Sequence, residues 1–170
     1  MTYKTHIVGG IVLAGVMHQS YFTLTELGFV CYYVGAVVGS LLPDIDHPQS
    51  LISQQVAFLH YPFRRFGHRK ATHSLLAVVS LMGLMYVLFG KNYIGLGVGL
   101  GYLSHLLLDM LNPRGVPLLY PFTKYKYKIL GKIHTGEKGE EIVYFILMVG
   151  LLILAIKALS LSPLLDHWGF

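Results

Sequence analysis

The sequence predicts an all-α, polytopic membrane protein with about five transmembrane helices, and three observations predict it. Of the 170 residues, 54% are hydrophobic and only 12% charged, with a mean hydropathy of +0.59. A soluble domain carries roughly 25% charged residues. Five long stretches contain no Asp, Glu, Lys or Arg. The basic residues gather on alternate connections between those stretches. A soluble protein with five such helices would need more polar surface than this chain has.

The stretches are taken in order. Residues 5–25, 27–43, 71–90 and 92–108 each match the span of about 17–25 residues that crosses a bilayer. The fifth, 142–156, continues past Lys157 to about Leu165, and Lys157 can snorkel to the interface. The first run has only Lys4 as a basic flank and no small-residue cleavage site, so it reads as a span, not a signal peptide. Glycines recur within the runs, at Gly35, Gly39, Gly95, Gly97, Gly99 and Gly101. In lipid, small residues let helix backbones approach closely.

Two longer connections remain, and the whole of 1–170 reads as one membrane-embedded domain. In 44–70, Leu51, Ile52, Val56, Phe58 and Leu59 alternate with polar residues, which predicts a short amphipathic helix on the interface. In 109–141, Lys124, Lys126 and Lys128 alternate with Tyr125, Tyr127 and Ile129, a period-two pattern that predicts an extended segment.

Charge sets the orientation. The formal net charge is +5. Eleven of the thirteen basic residues lie on the side shared by the N-terminus and the two long loops, leaving Lys91 and Lys157 opposite. The positive-inside rule then puts the N-terminus and the loops in the cytoplasm and the C-terminus outside. In so apolar a chain, excess basic charge points to anionic lipid, and no nucleic-acid partner is expected. Cys31 is the only cysteine, so no intrachain disulfide forms, and it lies toward the outer end of its span. Nothing in the pattern sets an oligomeric state.

The ionisable residues follow the same asymmetry. Six of eight acidic residues and seven of nine histidines fall on the cytoplasmic side. Longer loops explain part of this, but His6, His73 and His105 sit inside apolar runs. Asp44, Asp46 and His47 close the second run, His68 and His73 precede and open the third, and His105 with Asp109 closes the fourth. The last two are four residues apart and share one helix face. A carboxylate at a helix C-terminus opposes the macrodipole by roughly 0.3–1 kcal/mol, a penalty that a bound cation reverses. Intramembrane ionisable groups are costly and usually functional. We therefore expect His6, Asp44, Asp46, His47, His73, His105 and Asp109 to ligate one or two divalent ions. Mixed imidazole and carboxylate donors suit zinc, with manganese or iron as alternatives. Glu140 and Glu141, at the start of the fifth run, are candidates for proton transfer, and His68 and Arg69 are further candidate catalytic residues. There is also an internal echo: the second and fourth runs both end Leu-Leu-x-Asp-x-x-x-Pro, and each hairpin carries a His at its start. Two hairpins that each donate a His and an Asp would build a shared site.

Three segments carry a family resemblance: Leu-Leu-Pro-Asp-Ile-Asp-His-Pro-Gln-Ser at 41–50, Gly-His-Arg-Lys-Ala-Thr-His-Ser at 67–74, and Gly-Tyr-Leu-Ser-His-Leu-Leu-Leu-Asp-Met-Leu-Asn-Pro-Arg-Gly-Val at 101–116. They resemble the membrane-bound metal-dependent hydrolases of the YdjM type, also described as LexA-binding and inner-membrane-associated. The resemblance covers about His6 to Glu141 and includes Leu-Tyr-Pro-Phe at 119–122. It implies an all-α inner-membrane metallohydrolase, with His6, Asp44, Asp46, His73, His105 and Asp109 as the metal shell. Nothing here resembles a LexA-docking element.

The expected chemistry is hydrolysis by metal-activated water, with Arg69 and Arg114 available to a phosphate oxygen. A site at headgroup depth would draw an amphiphile from the membrane lipids, with a phospholipid or lipid-linked phosphoester as the expected substrate. The rival expectations are a divalent-metal transporter, which would place its ligands near the midplane, and a non-catalytic scaffold stapled by metal.

Overall fold

The computed structural model describes residues 1–21, 23–47, 50, 53–54 and 70–166, with side chains through 160. The five apolar runs all fold as helices. Helix α1 spans Tyr3–Tyr21, α2 Glu26–Leu41, α3 Leu75–Phe89, α4 Tyr93–Asp109 and α5 Lys138–Asp166, and a 3-10 turn at Leu42–Asp46 follows α2. No β-strand occurs among the described residues, although Val116 and Tyr127 form one isolated antiparallel bridge. That bridge makes the alternating Lys–Tyr segment extended at Tyr127. The amphipathic helix expected from Leu51, Ile52, Val56, Phe58 and Leu59 lies outside the described residues.

Local chemistry fixes the helix ends. Thr25, Ser74 and Asn92 each accept the backbone N–H three residues on, from Gly28, Ala77 and Gly95. Each removes one of the unpaired N–H groups of a first turn. Gly90, with φ 66°, closes α3 in a conformation that a side chain would resist. Helix α2 ends sooner than the charge-free run suggests. Pro43 has no N–H to continue the ladder, so Asp44 and Asp46 ride on the 3-10 turn and not on the helix.

The central contact is α2 on α4; α1 packs on both, α3 chiefly on α4, and α5 chiefly on α1. Glycine makes the central contact possible. A Cβ at Gly35 or Gly39 would overlap the carbonyl oxygen of Ile94 or Val98 on α4. A Cβ at Gly97 or Gly101 would overlap that of Tyr32 or Ala36 on α2. The contact is two-fold symmetric in sequence, because Gly97 and Gly101 follow Gly35 and Gly39 by 62 residues, as Ile94 and Val98 follow Tyr32 and Ala36.

Most of the buried apolar side chains form two small groups, Val78, Tyr102, Leu106 and Val116 near one end and Ala14, Tyr32 and Ala36 farther along. Among the described residues, two helices are long and apolar enough to cross a membrane, Glu26–Asp46 and Lys138–Ser160. Helix α3 is apolar but shorter, at 15 residues. Glycine, histidine and hydroxyl residues dilute α1 and α4, so length and hydropathy single out two spans of the five runs. The second of these has none of its apolar window buried by protein. Phe145, Ile146, Leu152 and Ile153 are all more than half exposed.

Candidate metal centre

Four separate elements deliver the candidate donors to one place. His6 comes from the first turns of α1, Asp44 from the 3-10 turn, His73 from the segment leading into α3, and His105 with Asp109 from the last turns of α4. The side chains of His6, His73, His105 and Asp109 are 1% exposed or less, and that of Asp44 is 26% exposed. Asp44 is thus the member open to an approaching molecule.

The donor atoms interlock. His6 Nε2 stands 3.4 Å from Asp109 Oδ1. His73 Nε2 stands 3.6 Å from Asp44 Oδ1 and 3.7 Å from Asp109 Oδ2. His105 Nε2 stands 3.7 Å and 3.9 Å from the same two oxygens. The His6 and His105 rings stack at 3.6 Å. The residues form two overlapping triads, His6–Asp44–His105 and His73–His105–Asp109, each with ligand atoms within 4.8 Å of one another. Each triad contains the His and the Asp of one hairpin, and His105 belongs to both.

Whether this set fits a metal is decided by the ring nitrogens. His105 Nδ1 lies 2.7 Å from the Ser40 carbonyl oxygen, which can only accept, so Nδ1 carries the proton. The Nε2 lone pair then faces the cluster, where it makes no hydrogen bond although buried. His73 is oriented in a comparable way. The Thr72 hydroxyl donates to Asp46 Oδ2 at 2.8 Å, so the contact with His73 Nδ1 at 3.0 Å takes a proton from the ring. Metal-binding histidines characteristically give their other N–H to a carbonyl or a carboxylate-linked partner. Donors bound at ~2.1 Å in a tetrahedron stand ~3.4 Å apart; the nearest nitrogen–oxygen pairs here stand at 3.4–3.9 Å, and all donor atoms of a triad within 4.8 Å. A pair of simple hydrogen bonds would bring nitrogen and oxygen to about 2.7–3.2 Å. These buried His and Asp side chains can hold a metal ion.

The remaining sequence candidates stand elsewhere. Asp46 is buried behind His73, reached through Thr72, and joins neither triad. His47 ends the 3-10 turn, its backbone N–H on the Asp44 carbonyl. His68 and Arg69 lie outside the described residues. Glu140 is buried and engaged: Oε1 accepts from the Thr2 N–H and the Thr5 hydroxyl, and Oε2 from the Gly136 N–H. It ties the start of α5 to the start of α1, next to His6. Glu141 is exposed. The amino group of Met1 adds a contact to Asp109 Oδ1 at 2.8 Å.

Sequence reasoning passed over Ser40 and Thr72. The Ser40 contribution is a backbone carbonyl, which leaves no mark in a sequence. Thr72 did leave one, as the hydroxyl residue immediately before His73.

The family model described as YdjM inner membrane protein matches residues 1–164. Among curated proteins, the Inner membrane protein YdjM of Escherichia coli (strain K12) is 42% identical over 119 residues, covering 66% of this chain and 59% of that protein. The protein of the same name from Shigella flexneri matches equally. The Uncharacterized protein YvsG of Bacillus subtilis (strain 168) is 35% identical over 146 residues, 84% of this chain and 87% of that one. The match thus spans about three fifths of the two YdjM proteins. No solved structure matches.

Proposed function

This chain belongs to the YdjM inner membrane protein family, and from that premise we propose that it is a metal-dependent hydrolase of the bacterial inner membrane acting on a phospholipid or lipid-linked phosphoester. One observation carries the reading: three imidazoles and two carboxylates from four elements meet in a buried cluster, with His105 Nε2 left unbonded by its tautomer. His6, Asp44, His73, His105 and Asp109 would hold the ion, with zinc favoured by the donor chemistry. Such an ion supplies Lewis acidity and a nucleophilic water near neutral pH.

The chain's own residues do the rest. The Ser40 carbonyl and the Asp46–Thr72 pair fix two imidazole rings, so little reorganisation is needed when a ligand arrives. Asp44 lies on the access side. Arg114, exposed on the loop after α4, is available to a phosphate oxygen. The five helices would alternate across the bilayer, with the donors and N-terminus at the cytoplasmic face and the C-terminus outside.

The supporting experiment assays cleavage of a lipid phosphodiester by detergent-purified protein, with and without chelator. Activity lost on chelation, restored by zinc and absent in His105→Ala is expected. Activity indifferent to metal removal overturns the hydrolase reading.

Burial favours a second reading. Four of the five donors are essentially inaccessible, as in structural sites, which are closed where catalytic ones keep an open position. A non-catalytic protein stapled by metal would keep the ion and show no turnover. Placement of the donors at helix ends disfavours a transporter, whose ligands sit near the midplane.

A further inference from the structure

A groove enclosing about 370 Å³ opens between α3, α4 and the 3-10 turn. Ile45, Thr72 and Tyr102 border it, each adjacent to the cluster: Ile45 follows Asp44, Thr72 contacts the His73 ring, and Tyr102 lies one turn before His105. From there the lining continues along one face of α3, through Ala77, Ser80 and Leu84. Seven residues of helix rise ~10 Å, so the groove runs from residues beside the cluster toward the middle of the helix. Leu84 is 54% exposed, and Ser80 is exposed as well, so the groove opens sideways.

The walls suit hydrocarbon. The Thr72 hydroxyl is engaged by Asp46 and His73, and the Tyr102 hydroxyl by the Thr72 carbonyl. Apart from the Ser80 hydroxyl, that leaves little for a polar ligand to bond. Two larger grooves occur among the described residues, one beside Lys91 and Asn92 and one beside His18 and Gln19, but neither is lined by a cluster residue or its sequence neighbour.

We infer that this groove seats one acyl chain of the amphiphile whose polar head is presented at Asp44, an inference that rests on the hydrolase reading. The substrate class is then a lipid with at least one acyl chain, and Ala77, Ser80 and Leu84 set how much of that chain is accepted. The chain enters from the bilayer between α3 and α4 and never leaves lipid.

The test uses full-length protein in nanodiscs and a lysophospholipid with a diazirine on its single acyl chain. Photolabelling is mapped by mass spectrometry. Labels at Ser80, Leu81 and Leu84 should saturate and be competed by unlabelled lysophospholipid. They should fall at least five-fold in Ser80→Trp and in the milder Ala77→Phe, while labels on α5 at Phe145 and Ile153 rise linearly with lipid and do not change. Saturable labelling that persists in His105→Ala, alongside absent lipid hydrolysis by the wild type, would retain the chain site and reject the hydrolase reading. Groove labels that track those on α5, unaffected by either variant, overturn the inference. So does protection of the groove that grows with protein concentration, because a second copy would then be its occupant.

Discussion

At the scale of single residues, metal binding depends on which nitrogen of each imidazole holds its proton. His105 is set by a carbonyl and His73 by a hydroxyl that is itself committed to Asp46. The histidines were legible in the sequence because an imidazole inside a charge-free run is costly and calls for a reason. Asp46 was legible only as a carboxylate near the right depth. Its place behind Thr72 depends on the 3-10 geometry that Pro43 imposes, and spacing alone does not resolve that. Thr72 therefore offers a test of positioning as distinct from ligation. Thr72→Val keeps the shape and removes the relay, so zinc affinity should fall ~10–100-fold, the usual cost of losing an outer-shell partner. Thr72→Ser should restore it, with circular dichroism unchanged in both. Competitive titration against a chromophoric chelator measures this. Equal affinities across the three proteins would show that the relay plays no part in binding.

At the scale of elements, the helices were legible from the lengths of their charge-free runs, and close helix packing from the glycines within them, but not that α2 and α4 are the pair that meets. The ends were less so. Proline, the asparagine cap and a positive-φ glycine trimmed or extended each run by a few residues. The number of true spans was least legible, because α1 and α4 dilute their hydropathy with the very glycines that pack the helices and the histidines that build the candidate metal centre. In lipid there is no hydrophobic drive between helices, so close van der Waals fit holds the seam. Gly97→Leu would force a side chain into the Tyr32 carbonyl and should destabilise by at least ~1–3 kcal/mol, the usual penalty of overpacking. A Cβ added at Gly83 on α3 would meet nothing within 4 Å, and Gly83→Leu should leave stability unchanged or slightly raised. Thermal unfolding of the two variants in detergent compares them. A neutral Gly97→Leu would show that the α2–α4 approach is looser than described.

At the scale of the whole molecule, the helices bring polar chemistry to one end and present hydrocarbon to the surroundings along their length. That distribution is the reverse of a soluble fold and underlies the proposed topology. In a protein with Cys31→Ala, an impermeant maleimide added to spheroplasts should label Lys91→Cys, in the α3–α4 turn, and leave Lys126→Cys unlabelled until the membrane is opened. The opposite pattern would invert the orientation and place the donors outside. The convergence of His6, Asp44, His73, His105 and Asp109 is the central claim, and it is tested most directly by elemental analysis of the purified protein. Plasma mass spectrometry should find one or two divalent ions, predominantly zinc, per wild-type chain, and less than a tenth of that in a folded His105→Ala. Wild-type protein without stoichiometric metal, even after incubation with zinc, would contradict the account.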